Sequence, residues 1–132
     1  MKTIFVLDND PDQQKQMTQH LTTLGFAVRS VFSVLEFEAL SEKPFTVILD
    51  ENMGDNTAMQ FLKAVYRKMR VPIVYMMSKP EKKSIAEAKK AGAYEVIEKN
   101  SAAFVQIRTV LDRIISNPPK TSWFTKFTSV LS

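Results

Sequence analysis

The sequence predicts an α/β fold in which five parallel strands alternate with five helices. Short apolar runs without polar alternation recur along the chain, as is typical of strands that are covered on both faces. Each run is followed by a segment whose apolar residues recur at helical spacing. The chain has 132 residues, 45% of them hydrophobic, which is enough for one domain with a sizeable core.

Four apolar runs predict strands, and a weaker candidate follows Gly25. The four runs are TIFVL (3–7), FTVILD (45–50), PIVYMM (72–77) and YEVI (94–97). The weaker candidate is FAVRS (26–30), whose position completes the alternation of strand and helix.

The intervening segments predict five helices, at 11–25, 31–42, 57–69, 80–92 and 102–115. Pro11 suits a first helical turn, and Gly25 and Gly92 suit helix ends. The apolar residues at helical spacing include Met17, Leu21, Leu24, Val31, Leu35, Leu40, Phe61, Leu62, Val65, Met69, Ile107, Val110, Leu111 and Ile114.

The helical pattern ends at Pro118 and Pro119, which predicts a domain over 1–116 and a linker with an amphipathic tail over 117–132. The tail places Trp123 and Phe127, among other apolar residues, on one helical face. Three roles stay open for it: docking on the domain, contacting a partner, or beginning a further module.

The composition indicates the cellular compartment of the protein. The absence of cysteine excludes disulfides and thiolate metal sites, and it favours a reducing cytoplasm. The opening apolar run is too short for a signal peptide, and no segment approaches the roughly 20 apolar residues of a membrane span. We therefore expect a cytoplasmic protein without membrane contact.

The net charge of +4 is unevenly distributed, because basic residues concentrate over 63–90. These lysines and arginines fall at helical spacings, which favours solvated helix faces over a nucleic-acid surface. We expect no nucleic-acid binding by this domain.

Polar residues follow three of the predicted strands. Asp8, Asn9 and Asp10 follow the first, Asp50 ends the third, and Lys99 follows the fifth. Ligands of open parallel sheets bind beyond the carboxyl ends of the strands, at the switch point of the strand order. In a flavodoxin-like three-layer sandwich of order 2-1-3-4-5, the first and third strands are neighbours. The two acidic strand ends would then share one pocket, suited to a hard divalent cation such as Mg²⁺. Asp10, immediately before a proline, is most simply a helix N-cap.

Three motifs resemble those of response-regulator receiver domains. LDNDPD (7–12) is similar to the hydrophobic-D-D-E-P-D motif of that family, LDENM (49–53) to its D-x-x-M motif, and GAYEVIEKN (92–100) to its G-A-x-x-Y-h-x-K-P motif. The resemblance covers residues 2 to about 116 and includes the order of the motifs on strand ends.

The resemblance implies that Asp50 accepts a phosphoryl group from the phosphohistidine of a sensor histidine kinase or phosphotransfer protein. It also implies that Lys99 pairs with the phosphoryl oxygens, and that the domain signals rather than turns over a substrate, beyond its own phosphorylation and dephosphorylation. The implied Mg²⁺ ligands are Asp8 (through water), Asn9, Asp50, the backbone carbonyl of Asn52 and, more weakly, Asp10.

The chain departs from the family pattern near this site. Asn9 stands where a second acid is usual, which predicts weaker Mg²⁺ binding. Asn100 replaces the proline after Lys99, which predicts a trans peptide bond and a shifted lysine loop. Gly54 stands where proline is usual and Ala58 where glycine is frequent, and both are expected to be tolerated.

Two further departures concern the switch residues. Counting from neighbouring motifs places Met77 where the family has threonine or serine, and a slip of one residue would place Ser78 there. Val96 occupies the position of the aromatic switch residue, with Tyr94 two positions away. The coupled threonine–aromatic motion is therefore expected to be absent or altered.

Three functions follow as hypotheses: a phosphoaccepting receiver, a degenerate receiver acting as a phosphorylation-independent interaction module, and a haloacid-dehalogenase-type phosphatase. The phosphatase is remote, because Asp12 stands where that family has threonine or valine. The resemblance places the output surface at the fourth helix, fifth strand and fifth helix, about 81–115. Its basic residues would suit an acidic partner, or a symmetric homodimer in which they meet Glu95, Glu98 and Asp112.

Overall fold

A computed structural model describes residues 1–53 and 58–118. Five strands alternate with five helices along this part of the chain. In order they are β1 (Thr3–Leu7), α1 (Pro11–Thr23), β2 (Ala27–Val31), α2 (Val34–Ala39), β3 (Thr46–Asp50), α3 (Ala58–Met69), β4 (Ile73–Met77), α4 (Lys82–Ala91), β5 (Glu95–Glu98) and α5 (Ala103–Ser116). All pairings are parallel and the strand order is β2-β1-β3-β4-β5. The predicted fold is confirmed.

Two hydrophobic cores cover the sheet, one on each face. Alternate strand residues face opposite sides, so that Leu7 joins the core under α2, α3 and α4, while Val6 joins the core under α1 and α5. Because β3 and β4 are buried along their whole length, they lack the polar alternation of a half-exposed strand. The result is the expected three-layer sandwich.

The start of α1 and the end of α4 are formed by the residues predicted from the sequence. The Asp10 carboxylate accepts hydrogen bonds from the backbone N–H groups of Asp12 and Gln13, and Pro11 occupies the first turn. This confirms Asp10 as an N-cap. Gly92 ends α4 at φ 125°, a conformation that side chains with a Cβ rarely adopt.

The predicted second helix was too long. Residues 31–42 were expected to be helical, but α2 begins at Val34 because the Ser33 hydroxyl caps it by accepting from the N–H of Glu36. Val31 lies in β2, and Leu35 is 78% exposed rather than packed in the core. The other predicted ends lie within two residues of the observed ones, except the predicted helix start at Thr57, which lies outside the described residues.

Some sequence-based expectations concern residues that the structure does not describe. Gly54 lies outside the described residues, and so does the tail from residue 119 onward. Within the residues that are described, no helix is long and apolar enough to cross a membrane.

Candidate functional site

Asp8 and Asp50 lie side by side at the carboxyl edge of the sheet. The register of β1 and β3 pairs Leu7 with Leu49, and each aspartate is the next residue along the chain, Asp8 just after β1 and Asp50 at the end of β3. Neighbouring strands are about 4.8 Å apart. Both aspartates are buried, and they line one cavity of about 210 Å³ together with Lys99. The structure thus brings together the three charged residues that the sequence placed on separate strand ends.

A short ion pair joins Asp50 to Lys99. The Lys99 Nζ lies 2.6 Å from Asp50 Oδ2, and the two side chains are only 19% and 6% exposed, respectively. The backbone N–H of Asn52 donates to Asp50 Oδ1 at 2.8 Å. The backbone N–H of Lys99 donates to the carbonyl of Met77 at 2.9 Å, which fixes the start of the loop after β5. Both oxygens of Asp50 are therefore held in defined positions.

The carboxyl group of Asp8 is destabilised in its charged form. The pKa of Asp8 is raised to about 6, mainly by burial and to a smaller extent by the neighbouring Asp50 carboxylate. The backbone N–H of Asp10, which donates to Asp8 Oδ1 at 2.9 Å, and the Lys99 ammonium act in the opposite direction. Near neutral pH this cavity holds two carboxylates against one ammonium, an arrangement that a proton or a cation would relieve.

Gln14, in α1, supports the site and was missed by sequence reasoning. Its side-chain amide is buried and donates to the carbonyls of Val6 at 2.8 Å, Asp8 at 3.0 Å and Val31 at 3.0 Å. These contacts tie the ends of β1 and β2 to the helix. The available signal was a polar residue seven positions before Leu21, on the buried face of α1.

The remaining predicted metal ligands contribute less to the cavity. Asn9 is exposed and is not among the residues that line the cavity, and the carboxylate of Asp10 is engaged as the helix cap. Among the described residues, no group of three or more acidic, histidine or cysteine side chains could hold a metal. Mg²⁺ needs only one or two protein carboxylates and keeps several waters. The pair Asp8 and Asp50, which repel each other, fits that requirement.

The predicted switch positions hold neither a buried hydroxyl nor a buried aromatic ring. Met77 is 8% exposed and packs into the core under α2, α3 and α4. Ser78 is exposed, and its backbone N–H donates to Glu51 Oε1 at 2.7 Å. Val96 packs against the same core and pairs in register with Tyr75 of β4. An aromatic ring therefore lies beside the predicted aromatic position, on the neighbouring strand.

Asn100 begins the turn that leads into α5. Its side chain donates to Glu98 at 2.7 Å and accepts from the backbone N–H of Ala102 at 2.9 Å. No peptide bond in the described residues is cis, so the trans bond expected before Asn100 is confirmed. The shift expected for the Lys99 loop stays a prediction, although the lysine reaches Asp50 in this structure.

The surface of α4, β5 and α5 carries ion pairs. Glu95 on β5 pairs with Lys89 at 3.3 Å and with Arg113 at 3.2 Å. Although burial acts to raise it, the pKa of Glu95 is lowered by the N–H of Val96 and by these two cations. Lys82, Lys83 and Lys90 are exposed on α4. This agrees with the expectation of a solvated basic helix face.

Comparison with protein families gives one match. The family model for the response regulator receiver domain matches residues 4–112. The comparison with curated protein sequences gives no match.

Solved structures share the fold at low sequence identity. The response regulator DrrB of Thermotoga maritima, an OmpR/PhoB homologue, has a TM-score of 0.79 at 18% identity, over 91% of this chain and 55% of its own. This chain thus spans about half of DrrB. A two-component response regulator of Clostridium difficile has a TM-score of 0.74 at 21% identity, over 86% of this chain and 98% of its own.

A third structure contains groups relevant to such a site. A response regulator protein of Burkholderia pseudomallei, described with a phosphorylated aspartic acid, a calcium ion and citrate, has a TM-score of 0.69 at 19% identity. The match covers 89% of this chain and 76% of that protein. At these identities the structural likeness establishes the fold alone.

Proposed function

Because the chain belongs to the response regulator receiver domain family, we propose that it accepts a phosphoryl group on Asp50 in a two-component phosphorelay. The donor would be the phosphohistidine of a sensor histidine kinase or of a phosphotransfer protein. The observation that carries the proposal is the buried carboxylate of Asp50, with the Lys99 ammonium at 2.6 Å and Asp8 lining the same cavity.

The two oxygens of Asp50 have different partners. Oδ1 is engaged by the N–H of Asn52, whereas Oδ2 faces the Lys99 ammonium. In the transfer, an oxygen of Asp50 forms a bond to phosphorus while the bond from phosphorus to the donor histidine nitrogen breaks. Lys99 would neutralise the charge on the transferred oxygens, and positioning with charge neutralisation is most of what phosphoryl transfer requires.

The proposed cofactor is Mg²⁺, which when bound neutralises the oxygens of the transferring group. Asp8 and Asp50 would hold it, with the backbone carbonyl of Asn52 and water completing the shell. Asn9 would have to turn inward to contribute, which supports weakened binding. The Burkholderia protein with a phosphorylated aspartic acid and a calcium ion provides a precedent for acyl phosphate and divalent cation in this fold.

A degenerate receiver is the second candidate. It is favoured by Met77, which packs into the core where a switch hydroxyl is expected, and by Val96 in place of an aromatic residue. Such a domain would act as a phosphorylation-independent interaction module. The family match favours either kind of receiver over the haloacid-dehalogenase-type phosphatase, in which Asp8 would be the nucleophile.

The proposed receiver comprises residues 1–116, and its setting would be the cytoplasm, where sensor kinases present their phosphohistidines. It would relay the signal through the surface of α4, β5 and α5, to an acidic partner or to a second copy.

Intact mass spectrometry after incubation with acetyl phosphate and Mg²⁺ tests the proposal. We expect one phosphoryl adduct on the wild type and on Asp12→Asn, a control that removes an exposed carboxylate. We expect none on Asp50→Ala. A wild type without an adduct would favour the degenerate receiver, and an adduct that persists in Asp50→Ala would contradict the assignment of Asp50.

A further inference from the structure

Glu51, which no part of the phosphoacceptor site uses, ties the ends of β3 and β4 together. Its side-chain Oε1 accepts a hydrogen bond of 2.7 Å from the backbone N–H of Ser78, 27 residues further along the chain. Its own backbone N–H donates to the carbonyl of Met76 at 3.1 Å. The start of the loop after β4 is thus held by a carboxylate adjacent in sequence to Asp50.

The hydroxyl group of a buried tyrosine near Glu51 lacks a hydrogen-bond partner in the described part of the chain. Tyr75 is 1% exposed, and its hydroxyl makes no hydrogen bond among the described residues. Tyr75 pairs in register with Leu49 of β3, and Glu51 lies two residues beyond Leu49, on the same face of the strand. Burial, then the carboxylates of Glu51 and Asp50, raise the pKa of Tyr75, which places the hydroxyl within their electrostatic reach.

We propose that Glu51 is a positioning residue with two alternative partners. Its carboxylate holds the Ser78 amide while Asp50 is unmodified, and it accepts from the Tyr75 hydroxyl once Asp50 carries a phosphoryl group. The inference rests on the proposed function for its second state, whereas its first state is the contact in this structure.

Charge provides the driving force for the exchange. A phosphoryl group replaces the single charge of the Asp50 carboxylate with about 1.5 to 2 negative charges at the edge of the sheet, next in sequence to Glu51. This added charge repels the Glu51 carboxylate and so weakens its hydrogen bond with the Ser78 N–H. A buried hydroxyl without a partner is costly, so the Tyr75 O–H offers a favourable new donor. The Ser78 N–H is then left for the added phosphoryl oxygens.

The exchange would compensate for the unusual switch positions. Met77 supplies no hydroxyl, and Val96 supplies no aromatic ring. Tyr75, the register partner of Val96, carries both a ring and a hydroxyl. The conformational change that follows phosphorylation would then start from Tyr75 in β4 rather than from Val96 in β5.

Hydrogen exchange of the Ser78 amide tests the first state without any phosphoryl donor. Losing this hydrogen bond should speed exchange about tenfold in Glu51→Ala. Glu51→Gln keeps an acceptor oxygen and should retain protection. Glu87→Ala, which removes an exposed carboxylate on α4, is the matched control and should leave the rate unchanged. Equal exchange rates in Glu51→Ala and the wild type would overturn the proposal.

The second state is read from tyrosine labelled with carbon-13 at Cζ, whose shift responds to a hydrogen bond donated by the hydroxyl. The chain has three tyrosines, and the Tyr75 signal is the one lost in Tyr75→Phe. After acetyl phosphate and Mg²⁺, this signal should move in the wild type and stay in Glu51→Gln, whose neutral amide is not repelled. Tyr66→Phe is the matched control and should respond like the wild type.

The outcomes of the two experiments are separable. A Tyr75 signal that stays unchanged in wild type with a phosphoryl adduct confirmed by mass, or that moves equally in Glu51→Gln, would overturn the exchange alone. Absence of the adduct would refute the proposed function and the second state with it. The Ser78 exchange rates would then still decide the first state.

Discussion

Replacing Asp8 with asparagine is expected to stabilise the folded protein near neutral pH. Asp8 is 8% exposed and its charged form is disfavoured by burial and by Asp50. Asparagine has nearly the same shape, carries no charge, and keeps an oxygen to accept from the N–H of Asp10. The substitution therefore removes an unfavourable charge while retaining the local hydrogen bond.

The size of the gain follows from the pKa of Asp8. That pKa rises from 3.8 to about 6 on folding, and each unit corresponds to about 1.4 kcal/mol. A raised pKa means that the folded state binds more protons than the unfolded state, so stability is lost as pH rises from 3.8 through 6. Ionised Asp8 thus costs about 3 kcal/mol above this window. Asp8→Asn should recover most of that cost, and none of it below the window.

Urea unfolding in the presence of a chelator measures this gain. Wild type and Asp8→Asn are compared at about pH 7.5 and at about pH 3, above and below the window. Asp12→Asn, which neutralises an exposed carboxylate, is the control and should show no such gain. The reasoning is refuted if Asp8→Asn is no more stable than the wild type at the higher pH, or if the gain is the same at both.

Three further substitutions test the surroundings of the site. Lys99→Met should raise the pKa of Asp8 above about 6, because the ammonium acts to lower it; an NMR titration of the Asp8 carboxyl carbon that shows no rise would contradict this. Gln14→Leu should lower the free energy of unfolding by about 1–3 kcal/mol, because three carbonyls lose their donor; unchanged urea unfolding would contradict it. Gly92→Ala should lower the melting temperature more than Gly25→Ala. Both glycines have a positive φ, but only a Cβ at position 92 would meet a tyrosine ring, at 2.6 Å. Equal losses in the two variants would contradict this.

The fold could be predicted because the burial of each strand determines the pattern of apolar residues in the sequence. β3 and β4 are buried on both faces and read as continuous apolar runs, whereas β2, at the edge of the sheet and only partly buried, gave a weaker signal. The second helix was mispredicted for a related reason. Apolar spacing does not reveal that Leu35 faces solvent or that Ser33 caps the helix.

The charged centre of the site could also be located from the sequence. Asp8 and Asp50 end strands that the predicted order makes neighbours, so their convergence follows from topology. The supporting contacts could not be located in this way. Glu51 meets Ser78 across 27 residues, and Gln14 binds carbonyls of two strands, and neither contact leaves a periodic signal in the sequence.

Peptide mapping of the phosphorylated protein tests the central claim most directly. After reaction with acetyl phosphate and Mg²⁺, and reduction of the acyl phosphate to fix its position, we predict one modified residue, Asp50. The modification should require the divalent cation. It should be lost in Asp50→Asn and reduced in Lys99→Met. A protein that stays unmodified, or that is modified at another carboxylate, would contradict the account.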